Sequence, residues 1–184
     1  MTSNPSSPPL RLGPDPGTGV SLRQAEAKDM DVLQGMYADL LAVLAEFNPT
    51  VDVTHRLQDD WIEKPDELYA WIIEGDDQNS LPVGFALVCG ERYAHALGSP
   101  TEYVLYEFLV TGRARRGGIG RSALGLLIDA YPGSWSLDVL PGNQAAMAFW
   151  SRVLAPHSPE AQERVDEDGV TFVRHAFEAR TKGA

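Results

Sequence analysis

The chain has a single cysteine, Cys89, and that scarcity removes two classes of architecture at once. A disulfide framework needs paired cysteines, and a cysteine-based zinc site needs several. Cys89 ends the apolar run Ala86–Cys89 and is read as a buried packing residue, the ordinary place for a free thiol. Long apolar runs are missing as well: no stretch approaches the ~18 residues that a membrane span needs. Met1 is followed by polar, proline-rich sequence in place of a charged and then apolar leader, so a cytoplasmic location is expected. Basic residues are few, 15 Lys and Arg against 26 Asp and Glu in 184 residues, which leaves a net charge of −11. Phosphate-tracking proteins need a basic surface. Neither nucleic acid nor membrane is therefore an expected partner, and a small cationic or neutral substrate suits this charge better. The four histidines, His55, His95, His157 and His175, have no ligand-like spacing, so no metal is expected.

What is present is a chain 43% hydrophobic, long enough for one substantial core and short for two. The first nineteen residues are rich in Pro, Ser and Gly without a hydrophobic period, and they read as a disordered tail before a single domain over 20–184. Residues 20–25 alternate as a short strand. Leu33, Met36, Tyr37, Leu40, Leu44 and Phe47 then recur at helical spacing up to Asn48 and Pro49. A second short helix fits within 53–63. Strands are predicted over 68–74 and 83–91, joined by the turn formers Asp76 to Ser80, and over 102–110 after a Gly and Pro loop. Ile119, Ala123, Leu126, Leu127 and Ala130 mark a helix that stops at Pro132 and Gly133; a strand over 134–140 follows. Ala146, Phe149, Trp150 and Val153 mark the last helix, with Asn143 as its cap. Two strands, 161–165 and 170–178, flank the hairpin dipeptide Asp168-Gly169. Such an order predicts an α/β fold, a mixed central sheet with helices on both faces.

Four arginines, Arg113, Arg115, Arg116 and Arg121, crowd the start of the helix that begins near Ile119. A helix N-terminus already carries partial positive charge and unpaired amides, so cations there are unfavourable unless an anion arrives. Gly117, Gly118 and Gly120 permit close backbone approach, which suits a phosphate or pyrophosphate. Gly118-x-Gly120-x-x-Ala123, with Asp138 downstream, also fits a dinucleotide fingerprint. Against that reading, seven residues separate Val110 from Gly118, and the chain after Asp138 holds one helix and a hairpin in place of further βαβ units.

Arg115-Arg116-Gly117-Gly118-Ile119-Gly120 resembles the pyrophosphate loop of the GNAT superfamily of N-acetyltransferases, and Asn143-x-x-Ala146-x-x-Phe149-Trp150 resembles that family's second motif. The resemblance implies the GNAT fold, acetyl-CoA as co-substrate, and acetyl transfer to a primary amine of a small molecule or peptide by a monomer or homodimer. It implies that Arg115, Arg116, Gly117, Gly118, Ile119, Gly120 and Arg121 bind the pyrophosphate. Leu109 and Val110 would offer backbone groups to the pantetheine arm and the carbonyl, and Asn143 would face that arm. Family members commonly carry tyrosine as the proton donor where this chain has Trp150, whose indole can donate a hydrogen bond but not a proton near neutral pH. Trp150 then walls the thioester or fills the core, and Tyr106 or water supplies the proton. The departure also leaves room for a module that binds acyl-CoA without turnover. For the base, Glu107 amid apolar residues is preferred over Glu102. The two have opposite parity on a regular strand, so only one faces substrate unless a bulge intervenes. Residues 45–67 and 92–101 are expected to select the acceptor, with Asp59, Asp60, Glu63, Asp66 and Glu67 read chiefly as a solvated acidic face.

Overall fold

The computed structural model describes residues 10–64, 67–75, 82–114 and 117–179. Its strands are β1 (Arg11–Leu12), β2 (Ser21–Gln24), β3 (Leu68–Glu74), β4 (Pro82–Cys89), β5 (Tyr103–Val110), β6 (Gly133–Val139), β7 (Glu160–Val165) and β8 (Thr171–Ala179). The helices are α1 (Met30–Ala45), α2 (Asp60–Glu63), α3 (Glu91–Ala96), α4 (Ile119–Ala130) and α5 (Gln144–Leu154). The strands form one sheet in the order β1-β2-β3-β4-β5-β6-β8-β7. Every neighbouring pair is antiparallel except β5 and β6. This mixed sheet is not the doubly wound parallel sheet of a dinucleotide fold.

Each face of the sheet carries its own core. One gathers Trp71, Val88, Leu105 and Trp135 under Leu124 and Leu127 of α4 and Trp150 and Leu154 of α5. The other gathers Ile72, Phe85, Leu87 and Leu109 under Leu33, Tyr37 and Leu40 of α1, with Trp61 of α2 and Ala94 of α3. β3 and β4 are buried almost throughout, as strands covered on both faces must be.

The parallel pair β5/β6 is short: only Tyr103 with Trp135 and Val104 with Ser136 are in register. The closed end of this wedge is held by polar groups. Ser99, Thr101 and Ser136 join their hydroxyls at 2.8–3.1 Å in a buried cluster. Glu102 accepts from the Ser134 amide at 2.8 Å and from its hydroxyl at 3.2 Å. Gly133 makes this possible, because a Cβ there would run into the Glu102 carboxylate. Past Val104 the two strands part, and the sheet opens.

Two expectations are corrected. The tail does not run to Gly19: Arg11 and Leu12 pair with Arg23 and Leu22, and Asp15 accepts from the amides of Gly17 and Thr18 and from the Ser122 hydroxyl of α4. A two-residue strand has no alternation to read, so composition alone misled. The strand expected to reach Glu91 ends at Cys89, and α3 begins at Glu91 after Gly90, where a loop was expected. The turn expected over Asp76 to Ser80, and residues 1–9 of the expected tail, lie outside the described residues.

Candidate active site

β5 carries a bulge. Glu107 stands opposite Leu87 and Leu105 opposite Val88, so Tyr106 has no partner on β4. The extra residue shifts the alternation by one. Tyr106 and Glu107 consequently both face the α1 side: the Tyr106 ring leans on Trp61 at 5.7 Å, and Glu107 shares the face of Leu87 and Leu109. Glu102, the other candidate, is spent on Ser134 at the closed end of the wedge.

Where β5 and β6 part, a cleft of about 450 Å³ passes between the sheet's two faces. Tyr106, Glu107 and Phe108 line it from β5, Leu137 to Leu140 from β6 and its end, Leu40, Leu41 and Leu44 from α1, and Asn143, Ala146 and Trp150 from α5. Among the described residues Glu107 has no hydrogen-bond or ion-pair partner, and desolvation pushes its carboxyl up to about 8. A carboxylate held near neutral pH in a cleft is suited to take a proton from an ammonium group. Burial, with the nearby Glu107 charge second, raises the Tyr106 phenol, which therefore stays protonated at neutral pH. Cys89 is buried and its thiol is pushed up to about 12 by desolvation, so it is a packing residue and no nucleophile.

On the opposite face, Trp150 is 8% exposed and packs edge-on against Phe108 and Phe149 at 5.4 and 4.8 Å. It walls the cleft and completes the core together, and Tyr106 lies on the other side of the sheet from it. The Asn143 side-chain oxygen accepts from the Ala146 amide at 3.0 Å, a plain N-cap, from a position on the cleft wall.

α4 starts at Gly118, whose φ of +79° is the left-handed conformation that only glycine takes without strain, and no side chain caps its first turn. Gly120 is fitted to its neighbours: a Cβ would lie 3.0 Å from Phe149 and 3.5 Å from Val110. Ile119 is half-buried and Arg121 exposed in the first turn, and Gly117 is exposed before it. Arg115 and Arg116 lie outside the described residues. Leu109 is buried on the α1 side, and Gly84 lets β4 approach its carbonyl, which a Cβ would strike.

With this geometry in view, residues 34–155 match the model of the Acetyltransferase (GNAT) family. The chain belongs to the GNAT family of acetyltransferases. A family match over a cleft formed by parting parallel strands makes acyl transfer to amines its general chemistry. Among solved structures it resembles diaminobutyrate acetyltransferase from Paenibacillus lautus, in complex with L-2,4-diaminobutyric acid and coenzyme A, at TM-score 0.59 and 17% identity over 89% of this chain and 96% of that one. It also resembles spermidine N-acetyltransferase from Vibrio cholerae, in complex with CoA and spermine, at TM-score 0.58 and 12% identity over 87% and 95%. No curated protein matches. At these identities the likeness to the solved structures concerns the fold.

Sequence reasoning missed one wall of this GNAT cleft. Asp138 receives Arg174 through both oxygens at 2.9 Å and pairs with Arg164 at 3.0 Å. The register sets Arg164 opposite Phe172 and Gln162 opposite Arg174, so the two arginines share a face. The period-two spacing about Asp168-Gly169 held that signal, whereas Asp138 stood only as a ribose-binding acid in the dinucleotide alternative. The acidic residues read chiefly as a solvated face are partly paired: Asp60 with Lys64 at 2.6 Å and Glu67 with Arg92 at 2.9 Å, while Asp66 lies outside the described residues.

Proposed function

We propose that this GNAT-family chain is an acetyl-CoA-dependent N-acetyltransferase acting on a primary amine, with Glu107 as the base. The observation that carries the reading is a lone carboxylate, raised to about 8 by burial, in the cleft where β5 and β6 part. The fit to acetyl-CoA rests on two features. β5 has no β6 partner past Val104, so an extended arm can lie along Leu105 to Leu109 and exchange main-chain hydrogen bonds. The uncapped start of α4 behind Gly117, Gly118, Ile119 and Gly120, with Arg121 in its first turn, offers amides to a pyrophosphate. Arg115 and Arg116 are assigned there by the motif alone.

The bound co-substrate supplies an activated acyl thioester. Glu107 takes the proton of the incoming ammonium and leaves its lone pair free to attack. Amides of β5 near Leu109 and Val110 orient the acyl carbonyl and stabilise charge on its oxygen. Trp150 and Phe108 exclude water from the α5 side, where Asn143 fixes the helix start. Return of a proton to the leaving sulfur falls to water or to the Tyr106 phenol. A second reading, acyl-CoA binding without turnover, is favoured by one observation: Trp150 stands where a proton donor is expected.

Thiol release from acetyl-CoA with a panel of amines, beside calorimetric titration with CoA, separates the two. Turnover that Glu107→Gln abolishes, with CoA affinity retained, supports the enzyme. CoA binding without turnover on any amine supports the module, and absence of CoA binding removes both.

A further inference from the structure

Resting on the amine-acetylation reading, we infer that the acceptor carries a carboxylate several bonds from its reacting amine, and that Arg164 receives it. Arg164 reaches from β7 across β8 toward β6, where its Nε lies 3.0 Å from Asp138 Oδ2. Its guanidinium lies over the Phe172 ring at 5.7 Å. Asp138 is itself held by both forks of Arg174, whose third contact, 3.0 Å to the Gly98 carbonyl, ties this wall to the loop before β5. The ion pair and the ring place the guanidinium, while its buried Nε makes no hydrogen bond. Its two terminal nitrogens make no hydrogen bond among the described residues, although Arg164 lines the same cleft as Glu107. A planar fork placed in this way, with its outer edge free, matches a carboxylate in two-point geometry.

Charge supports this class over a polycation. On this wall Arg164 and Arg174 balance Asp138 and Asp166, and two backbone amides, of Asp168 and Val170, already engage Asp166 Oδ1. Burial favours the neutral form of Glu107 over the charged one. Among the described lining residues the charges therefore nearly cancel, which leaves a polyamine no second unpaired carboxylate there. Glu107 stands on β5 and Arg164 on β7, with β6 and β8 between them in the sheet order. An α-amino acid holds both groups on one carbon, whereas an ω-amino acid, the side-chain amine of a basic amino acid or the N-terminus of a short peptide sets them several bonds apart, as a site spread over these strands requires.

The test uses matched acceptors with and without the carboxylate: 5-aminovalerate and pentylamine, L-lysine and cadaverine, a dipeptide and its C-terminal amide. CoA-loaded protein is titrated with each by calorimetry, and acetylation is followed in parallel. We expect the carboxylate-bearing member of at least one pair to bind about 10- to 100-fold more tightly. Arg164→Gln should remove that preference by raising KM with kcat little changed. Arg164→Lys, which keeps the charge and loses the fork, should restore part of it. Equal affinity within every pair, or a preference that survives Arg164→Gln, overturns the inference. Selective binding without acetylation leaves the inference standing and defeats the enzymatic reading, so the two failures are distinct.

Discussion

At the scale of single residues, the proposed chemistry rests on Glu107, which has no hydrogen-bond or ion-pair partner among the described residues. Glu107→Gln should lower kcat/KM by about 10²–10⁴-fold, the usual contribution of one proton transfer, and leave the CoA dissociation constant unchanged by calorimetry. The same variant reports stability. Because the folded carboxyl is raised from 4.5 to about 8, its stabilising contribution is complete below pH 4.5 and is lost as pH rises to about 8. The melting temperature of Glu107→Gln should therefore exceed that of the native chain by a margin that widens between those values and is constant above them; a margin that does not change with pH would refute the assigned shift. Trp150 invites the opposite experiment. Packed against Phe108 and Phe149 and unable to give up a proton, it should tolerate Phe with less than about a tenfold loss in kcat, below what a proton donor contributes. Trp150→Ala should cost about 3–5 kcal/mol in denaturant unfolding.

Among elements, the segment least foreseen is the N-terminal edge. Arg23 on β2 donates to both oxygens of Asp29 at 2.7 and 3.0 Å and to Glu74 of β3 at 3.1 Å, and Arg11 of β1 adds a further bond to Glu74 at 2.8 Å. Arg23→Met leaves the buried Asp29 without its bidentate partner and Glu74 with Arg11 alone. It should destabilise the fold by about 3–5 kcal/mol, measured by denaturant unfolding, and a loss under 1 kcal/mol would show the cluster to be well solvated. Charges at positions 11, 23, 29 and 74 are scattered in sequence, and nothing in their spacing announces a cluster. By contrast α4 and α5 were legible nearly to the residue, since Ile119 to Ala130 and the run after Asn143 have unbroken helical period and clear stops. The β5 bulge was legible only as a possibility. Alternation could state that Glu102 and Glu107 differ in parity, but the insertion of Tyr106 depends on what β4 places opposite, a tertiary matter.

For the whole molecule, the proposed function follows from the parting of β5 and β6 within one sheet. Hydroxyls of Ser99, Thr101 and Ser136 and the Glu102–Ser134 contacts close one end of the β5/β6 wedge, and the other end is left open between two cores. Family membership was readable from the loop and the Asn143 motif because both are local in sequence. The wall of Arg164, Asp138 and Arg174 was not, because it assembles from three strands across the open end. The most direct test of this account is the pH dependence of kcat/KM for thiol release, in the native chain and in Glu107→Gln, with a single acceptor. The account predicts a rising limb with an apparent pKa near 8 in the native chain that vanishes in the variant along with most of its activity. A variant that keeps the limb and the rate would contradict it.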